Sequence, residues 1–196
     1  MKSFDSLSLL EQLQADTRQL IASATFLKNE DPGVLLEQPA AGKWSVIQVL
    51  EHLNSYGDYY LPALGKALKQ NKPAAATFRS GWLGNYFTNL MLPKQGEVTN
   101  KMKAPKNHRP SFHADAKPVI EKFLLQQHRL LDLLEGAKVK NIGSIRVPVS
   151  LAKWITLKAG DTFRFLIAHE QRHFVQIDNT LAAVKGIAAV KVLHQA

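Results

Sequence analysis

Residues 161–185 read DTFRFLIAHEQRHFVQIDNTLAAVK, and the periodicity of this stretch decides the fold. Leu166, Ile177, Leu181 and Val184 recur at the 3.6-residue spacing of an amphipathic helix that opens behind Gly160. At about 100° per residue, His169 and His173 stand about 40° apart around that helix. Leu166, Ile177, Thr180 and Val184 all fall within about 80° of His169 by the same geometry. Both imidazoles therefore belong to the buried face.

Three further segments carry the same period. The first runs from about Ser8 to Lys28 with Leu10, Leu13, Thr17, Leu20, Ala24 and Leu27 on one stripe. Ser8 and Glu11 have the spacing of a capping box, and Asp31-Pro32-Gly33 reads as the stop. The second opens at Ser45 with Gln48 as capping partner and runs to about Gln70, burying Val46, Val49, Leu50, Leu53, Tyr56, Tyr60 and Leu64. The third spans about Asp115 to Leu134, presents Ile120, Phe123, Leu124, Gln127, Leu130 and Leu131, and stops at Gly136. Between the second and third lies a long aperiodic stretch with a short helix around Phe78–Met91, followed by KQGEVTNKMKAPKNHRPSFH at 94–113. Residues 144–158, SIRVPVSLAKWITLK, are β-branched, but Pro148 and the Ser/Lys content favour an ordered connector over a sheet. The expectation is an all-α protein: one four-helix-bundle domain over residues 1–196, with a long crossover between helices 2 and 3.

Composition narrows the chemistry. A chain of 196 residues buries roughly 70% of its unfolded surface, enough for a core without staples. It has no cysteine, which excludes disulfides, thiolate zinc sites, iron–sulfur clusters and a Cys nucleophile. Any metal must be held by imidazole, carboxylate or water. The opening twenty residues carry Asp5, Glu11 and Asp16 and lack an apolar h-region, so no secretory signal is expected. No apolar run approaches the ~18 residues of a membrane span, and a cytoplasmic location is expected. The net charge of +9 is not spread evenly. Residues 1–100 hold nine Lys/Arg and nine Asp/Glu, whereas residues 101–196 hold sixteen and seven.

Histidine carries the functional signal. The inward pair His169 and His173 can chelate one divalent ion, the bland alternative being two hydrogen-bonded core histidines. His52 lies at the edge of the buried arc of the second helix, and its addition makes three inward imidazoles from two helices. Such a set leaves positions open for water or substrate, as catalytic zinc sites do. The text H-E-Q-R-H also matches the zincin motif, with Glu170 as general base. Only 23 residues follow His173 and none is Glu, while Gln176 and Asn179 stand where the metzincin extension needs Gly and His. A metalloprotease is therefore the weaker reading.

KWSVIQVLEHL at 43–53 together with HEQRHFVQI at 169–177 resembles the DinB-like (DinB/YfiT-like) superfamily of metal-dependent proteins. The resemblance extends over about residues 8–186. It implies a four-helix bundle in which His52, His169 and His173 bind zinc, nickel or a similar divalent ion, iron included. It also implies a homodimer and an activity of the kinds known there: bacillithiol-dependent S-transfer, mycothiol-dependent isomerisation, or the iron chemistry of ergothioneine formation. The long basic crossover departs from the better-understood branches, and no motif selects one thiol.

The functional expectation is a metal-binding protein that activates water or a low-molecular-weight thiol for transfer or hydrolysis on a small molecule. Glu170 is the candidate general base and Tyr56, with Tyr59, the candidate hydrogen-bonding partner of water or substrate. An exposed ion pair of Glu170 with Arg172 or Lys185, and simple packing of the two tyrosines, are the commoner fates of such residues. Gln176 is placed to orient a ligand imidazole. His108, His113, His128 and His194 show no convergent spacing and read as surface or loop residues. The basic run Lys94, Lys101, Lys103, Lys106 and Arg109 suits an anionic small substrate. Trp82 and Tyr86 alone do not make a nucleic-acid fold, so that partner ranks last. A non-catalytic metal-binding or structural bundle is the alternative of a different class.

Overall fold

The computed structural model describes residues 2–94, 97, 102–111 and 115–187. Its long helices are α1 (Ser6–Leu27), α3 (Val46–Ala67), α5 (Ala116–Ala137) and α6 (Ala159–Lys185). Short helices α2 (Pro32–Leu36) and α4 (Trp82–Met91) lie in the connections. Antiparallel ribbons pair β1 (Ser3–Asp5) with β2 (Thr77–Arg79), and β3 (Arg146–Val149) with β4 (Ala152–Lys158). The protein is thus all-α in its core, a four-helix bundle with a long α3–α5 crossover. In it α3 packs on α5 and α6, α1 on the same two, and α4 against α6. Among the described residues no helix is long and apolar enough to cross a membrane.

Three helix starts are capped by a side chain, and two helix ends also have a local reading. α3 opens with the expected capping box: Ser45 Oγ accepts from Gln48 N at 3.2 Å, and Gln48 Oε1 accepts from Ser45 N at 3.0 Å. α1 begins two residues before Ser8, because Asp5 is the acceptor that caps it, 2.8 Å from Ser8 N. The β1–β2 pairing delivers Asp5 in an extended conformation, so the Ser8–Glu11 box is not used. Asp31 ends α1 only by starting α2, where its carboxylate caps Gly33 and Val34 and Pro32 occupies the first turn. α5 runs through Gly136 to Ala137, since nothing there forces an αL residue. α6 stops at Gly186, whose φ of 65° is the left-handed cap that glycine favours.

Residues 144–158 correct the sequence reading, because they form a hairpin rather than a connector. Pro148 is tolerated because a two-stranded ribbon has only edge strands, and the register shifts just after it. Val147 and Leu157 pair across the ribbon and are both buried against the bundle. This hairpin packs on the C-terminal half of α3, where Ser150 N donates to Tyr60 Oη at 3.2 Å.

Candidate metal centre

The site is assembled at the middle of α3 and the middle of α6. His52 follows the capping box by two turns, and His169 and His173 sit one turn apart facing it. The three side chains are 3%, 3% and 9% exposed, and one ring nitrogen of each lies within 4.8 Å of the others. His169 Nε2 is 3.3 Å from His52 Nε2 and 3.1 Å from His173 Nε2.

The partners of the opposite ring nitrogens fix the tautomers. His52 Nδ1–H donates to the backbone carbonyl of His108 at 2.6 Å. His173 Nδ1–H donates to Gln176 Oε1 at 2.9 Å, so Gln176 holds the His173 imidazole, the contact its spacing on the helix predicts. Both rings therefore turn an Nε2 lone pair toward His169. A single N–H on His169 Nε2 satisfies at most one of them, and His169 Nδ1 is itself buried without a partner. One divalent cation would take an Nε2 lone pair from each ring, the His169 proton then standing on Nδ1. Metal–imidazole bonds of about 2.0–2.1 Å at angles of about 90–110° put ligand nitrogens about 2.9–3.4 Å apart. The spacings of 3.1 and 3.3 Å fall in that range.

Electrostatics prepares the same group. Burial pulls the pKa of His52 down to about 4 and that of His173 to about 3. His169 lies well below its ordinary value, first through burial and then through the neighbouring imidazoles. All three rings are neutral at pH 7, so a metal ion has no proton to displace. Among the described residues the group contains these histidines and no carboxylate, which leaves coordination positions open. Aromatic rings form its walls: Trp44 is 5.1 Å from His52, Tyr56 4.4 Å from His169, and Phe165 is stacked 5.9 Å from His169.

A family model of the DinB superfamily matches residues 9–177. The chain belongs to the DinB superfamily. No curated protein and no solved structure matches it. Family and geometry together fit a metal-binding protein with a divalent metal cofactor.

Within this DinB-superfamily bundle the other residues singled out in the sequence disperse. Tyr56 is 6% exposed, stacked 4.0 Å from the His108 ring, and burial pushes its hydroxyl up to about 12. It touches the site, whereas Tyr59 packs edge-on against Tyr60 at 5.0 Å. Glu170 is not the exposed ion-pair partner that its helical position suggested. It is 3% exposed and accepts from Gln127 Nε2 of α5 at 3.0 Å, while Lys185 pairs with Glu30. Burial raises the Glu170 carboxyl to about 8. Its Oε2 and Gln127 Oε1 have no other partner, and a neutral carboxyl supplies the donor that this acid–amide pair lacks.

His108 is the clearest correction. It reads as a surface residue but is 5% exposed, in a 3-10 turn over Lys106–His108 that docks on α3. His128 is exposed as expected, and His113 and His194 lie outside the described residues. Periodicity could not find His108, because the turn has none. The only local signal was Pro105 and Pro110 bracketing it, a constraint that favours one rigid conformation. Ser55 and Ser150, which hydrogen-bond its ring, had no sequence signal.

Proposed function

We propose that this protein is a metal-dependent enzyme that activates water or a low-molecular-weight thiol for transfer or hydrolysis on a small molecule. The observation that carries the reading is the set of three neutral imidazoles whose Nε2 atoms converge with no carboxylate among them. His52, His169 and His173 would hold the ion. Zinc, nickel or iron bound there would act as a Lewis acid, lowering the pKa of a water or thiol to give a nucleophile at neutral pH. With no cysteine in the chain, the thiol would come from solution.

The chain's own residues have distinct tasks in this reading. Tyr56 and Trp44 shape an apolar wall and limit water beside the imidazoles. Glu170 is a candidate proton carrier at its Oε2, arriving protonated at neutral pH because of its burial. Of the basic run, Lys94, Lys103, Lys106 and Arg109 are exposed and would gather an anionic substrate, while Lys101 lies outside the described residues. A nucleic-acid partner ranks below this, and retention of DNA on a filter that weakens with salt would reverse that order. The reading also takes the protein as a cytoplasmic homodimer, which light scattering checks directly.

The depth of the three histidines favours a second reading, in which the ion is structural and no substrate turns over. Elemental analysis of untagged protein, followed by a screen of thiols and esters for turnover, separates the two. Wild type is expected to carry about one divalent ion per chain and His169→Ala none. Full metal content in His169→Ala sinks both readings, whereas stoichiometric metal without turnover leaves only the structural one.

A further inference from the structure

The hydrogen bond that aims His52 ends on a backbone carbonyl, which no substitution can remove. What matters is the side chain that holds that carbonyl in place. Ser55 Oγ donates to the carbonyl of His52 at 2.6 Å, so toward the His108 ring it acts as acceptor. His108 Nδ1, 2.9 Å away, must then carry the proton and donate to Ser55. That leaves His108 Nε2 as an acceptor, and Ser150 Oγ supplies a hydroxyl at 3.2 Å from the turn of the β3–β4 hairpin. The ring face is closed by Tyr56, with 28° between the planes. Burial lowers the His108 pKa, in keeping with the neutral ring that this wiring requires.

The same stretch is tied to α3 a second time. Glu51 accepts from Ser111 N at 2.9 Å and from Ser111 Oγ at 3.1 Å. One residue, His108, thus joins the crossover, α3 and the hairpin at the point where its own carbonyl is the acceptor for His52 Nδ1.

We propose that His108 is a positioning residue of the metal centre: its ring, pinned by Ser55, Ser150 and Tyr56, holds its own carbonyl on His52 Nδ1–H and so keeps His52 Nε2 aimed at His169 and His173. This rests on the three histidines being metal ligands. The linkage is reciprocal. When His52 Nε2 is engaged by a cation, its Nδ1–H becomes a stronger donor, so metal loading tightens the crossover onto α3.

The test uses the untagged full chain with Zn2+ and Co2+ as probes. Zinc affinity is read by competition with a chelator, the coordination environment by the visible spectrum of the cobalt form, and docking of the crossover by tryptic cleavage after Lys106. His108→Ala is expected to weaken zinc about 10- to 100-fold, as loss of an outer-shell partner typically does, and to alter the cobalt spectrum. His108→Asn, which keeps a donor near Ser55, recovers part of the loss, and Ser150→Ala shows a smaller loss than His108→Ala. Zinc slows cleavage after Lys106 in wild type and not in His108→Ala. Wild-type affinity and spectrum in a folded His108→Ala overturn the proposal while leaving the metal reading intact. If that variant does not fold, unchanged zinc affinity in both His108→Asn and Ser150→Ala overturns it instead. A wild-type chain that takes up no zinc or cobalt removes this inference and the metal reading together.

Discussion

Burial shifts two sets of side chains on α6 and α3 in directions that oppose each other in their effect on stability. His52 falls to about 4 and His173 to about 3 from 6.5, while Glu170 rises to about 8 from 4.5. For the histidines the unfolded chain binds protons that the folded chain refuses, so their contribution is present above pH 6.5 and lost as pH falls below it. For Glu170 the folded chain keeps a proton that the unfolded chain releases. Its contribution is present below pH 4.5 and lost as pH rises toward 8. Glu170→Gln removes only the second effect, and its amide can still bond Gln127. In urea unfolding with chelator present, the stability of the variant relative to wild type should grow from pH 4.5 to 8. The limiting slope is about 1.4 kcal/mol per pH unit. Above that window the difference should be flat. A difference that does not change with pH would mean that Glu170 is not a buried neutral acid.

At the scale of elements, α4 and α6 approach through a glycine. A Cβ at Gly84 would meet Asp161 Cγ at 2.3 Å, and Asp161 cannot yield because Ser80 Oγ and Gly81 N, at 2.5 and 2.8 Å, and Arg164 all hold it. A Cβ at Gly57 would also crowd a neighbour, Gln126 Oε1 at 2.3 Å, but that is the end of a longer side chain whose two bonds, to the Asn54 carbonyl and Asp58, lie where water can replace them. Each Gly→Ala change gains up to about 1 kcal/mol of helix propensity. At Gly84 overpacking of about 1–3 kcal/mol and damage to the Asp161 network outweigh it. Gly84→Ala should therefore lower the melting temperature while Gly57→Ala stays near wild type, and equal effects in a calorimetric scan would refute the contrast. The same scale shows what the sequence could carry. The α3 capping box and the inward His169–His173 pair were legible because both are written within one turn of helix. The hairpin was hidden because Pro148 looks wrong until the strand is known to be an edge. His108 was hidden because its burial depends on Ser55 and Ser150, 53 and 42 residues away. Glu170 sat on the border of the inward arc, where periodicity cannot say whether α5 or solvent lies beyond.

For the molecule as a whole, the site exists only when distant parts of the chain are brought together. His52 and His169 are 117 residues apart, and the carbonyl that aims His52 arrives from the crossover between them. The unfolded chain keeps the local His169–His173 pair but not the third imidazole or the tautomer control. A divalent ion must therefore bind the folded state preferentially, and its binding appears as folding stability. At an ion concentration about 1,000 times the dissociation constant this amounts to about 4 kcal/mol. In a chain of this size each kcal/mol moves the melting temperature by about 2–4 °C. Zinc should thus raise the melting temperature by roughly 8–16 °C, with the rise growing as the logarithm of free zinc and reversed by a chelator. His52→Ala should abolish most of the rise although two histidines remain, because the pair on α6 is nearly as available to the unfolded chain. A full zinc shift in His52→Ala would place the ion on α6 alone and detach α3 and the crossover from the metal centre.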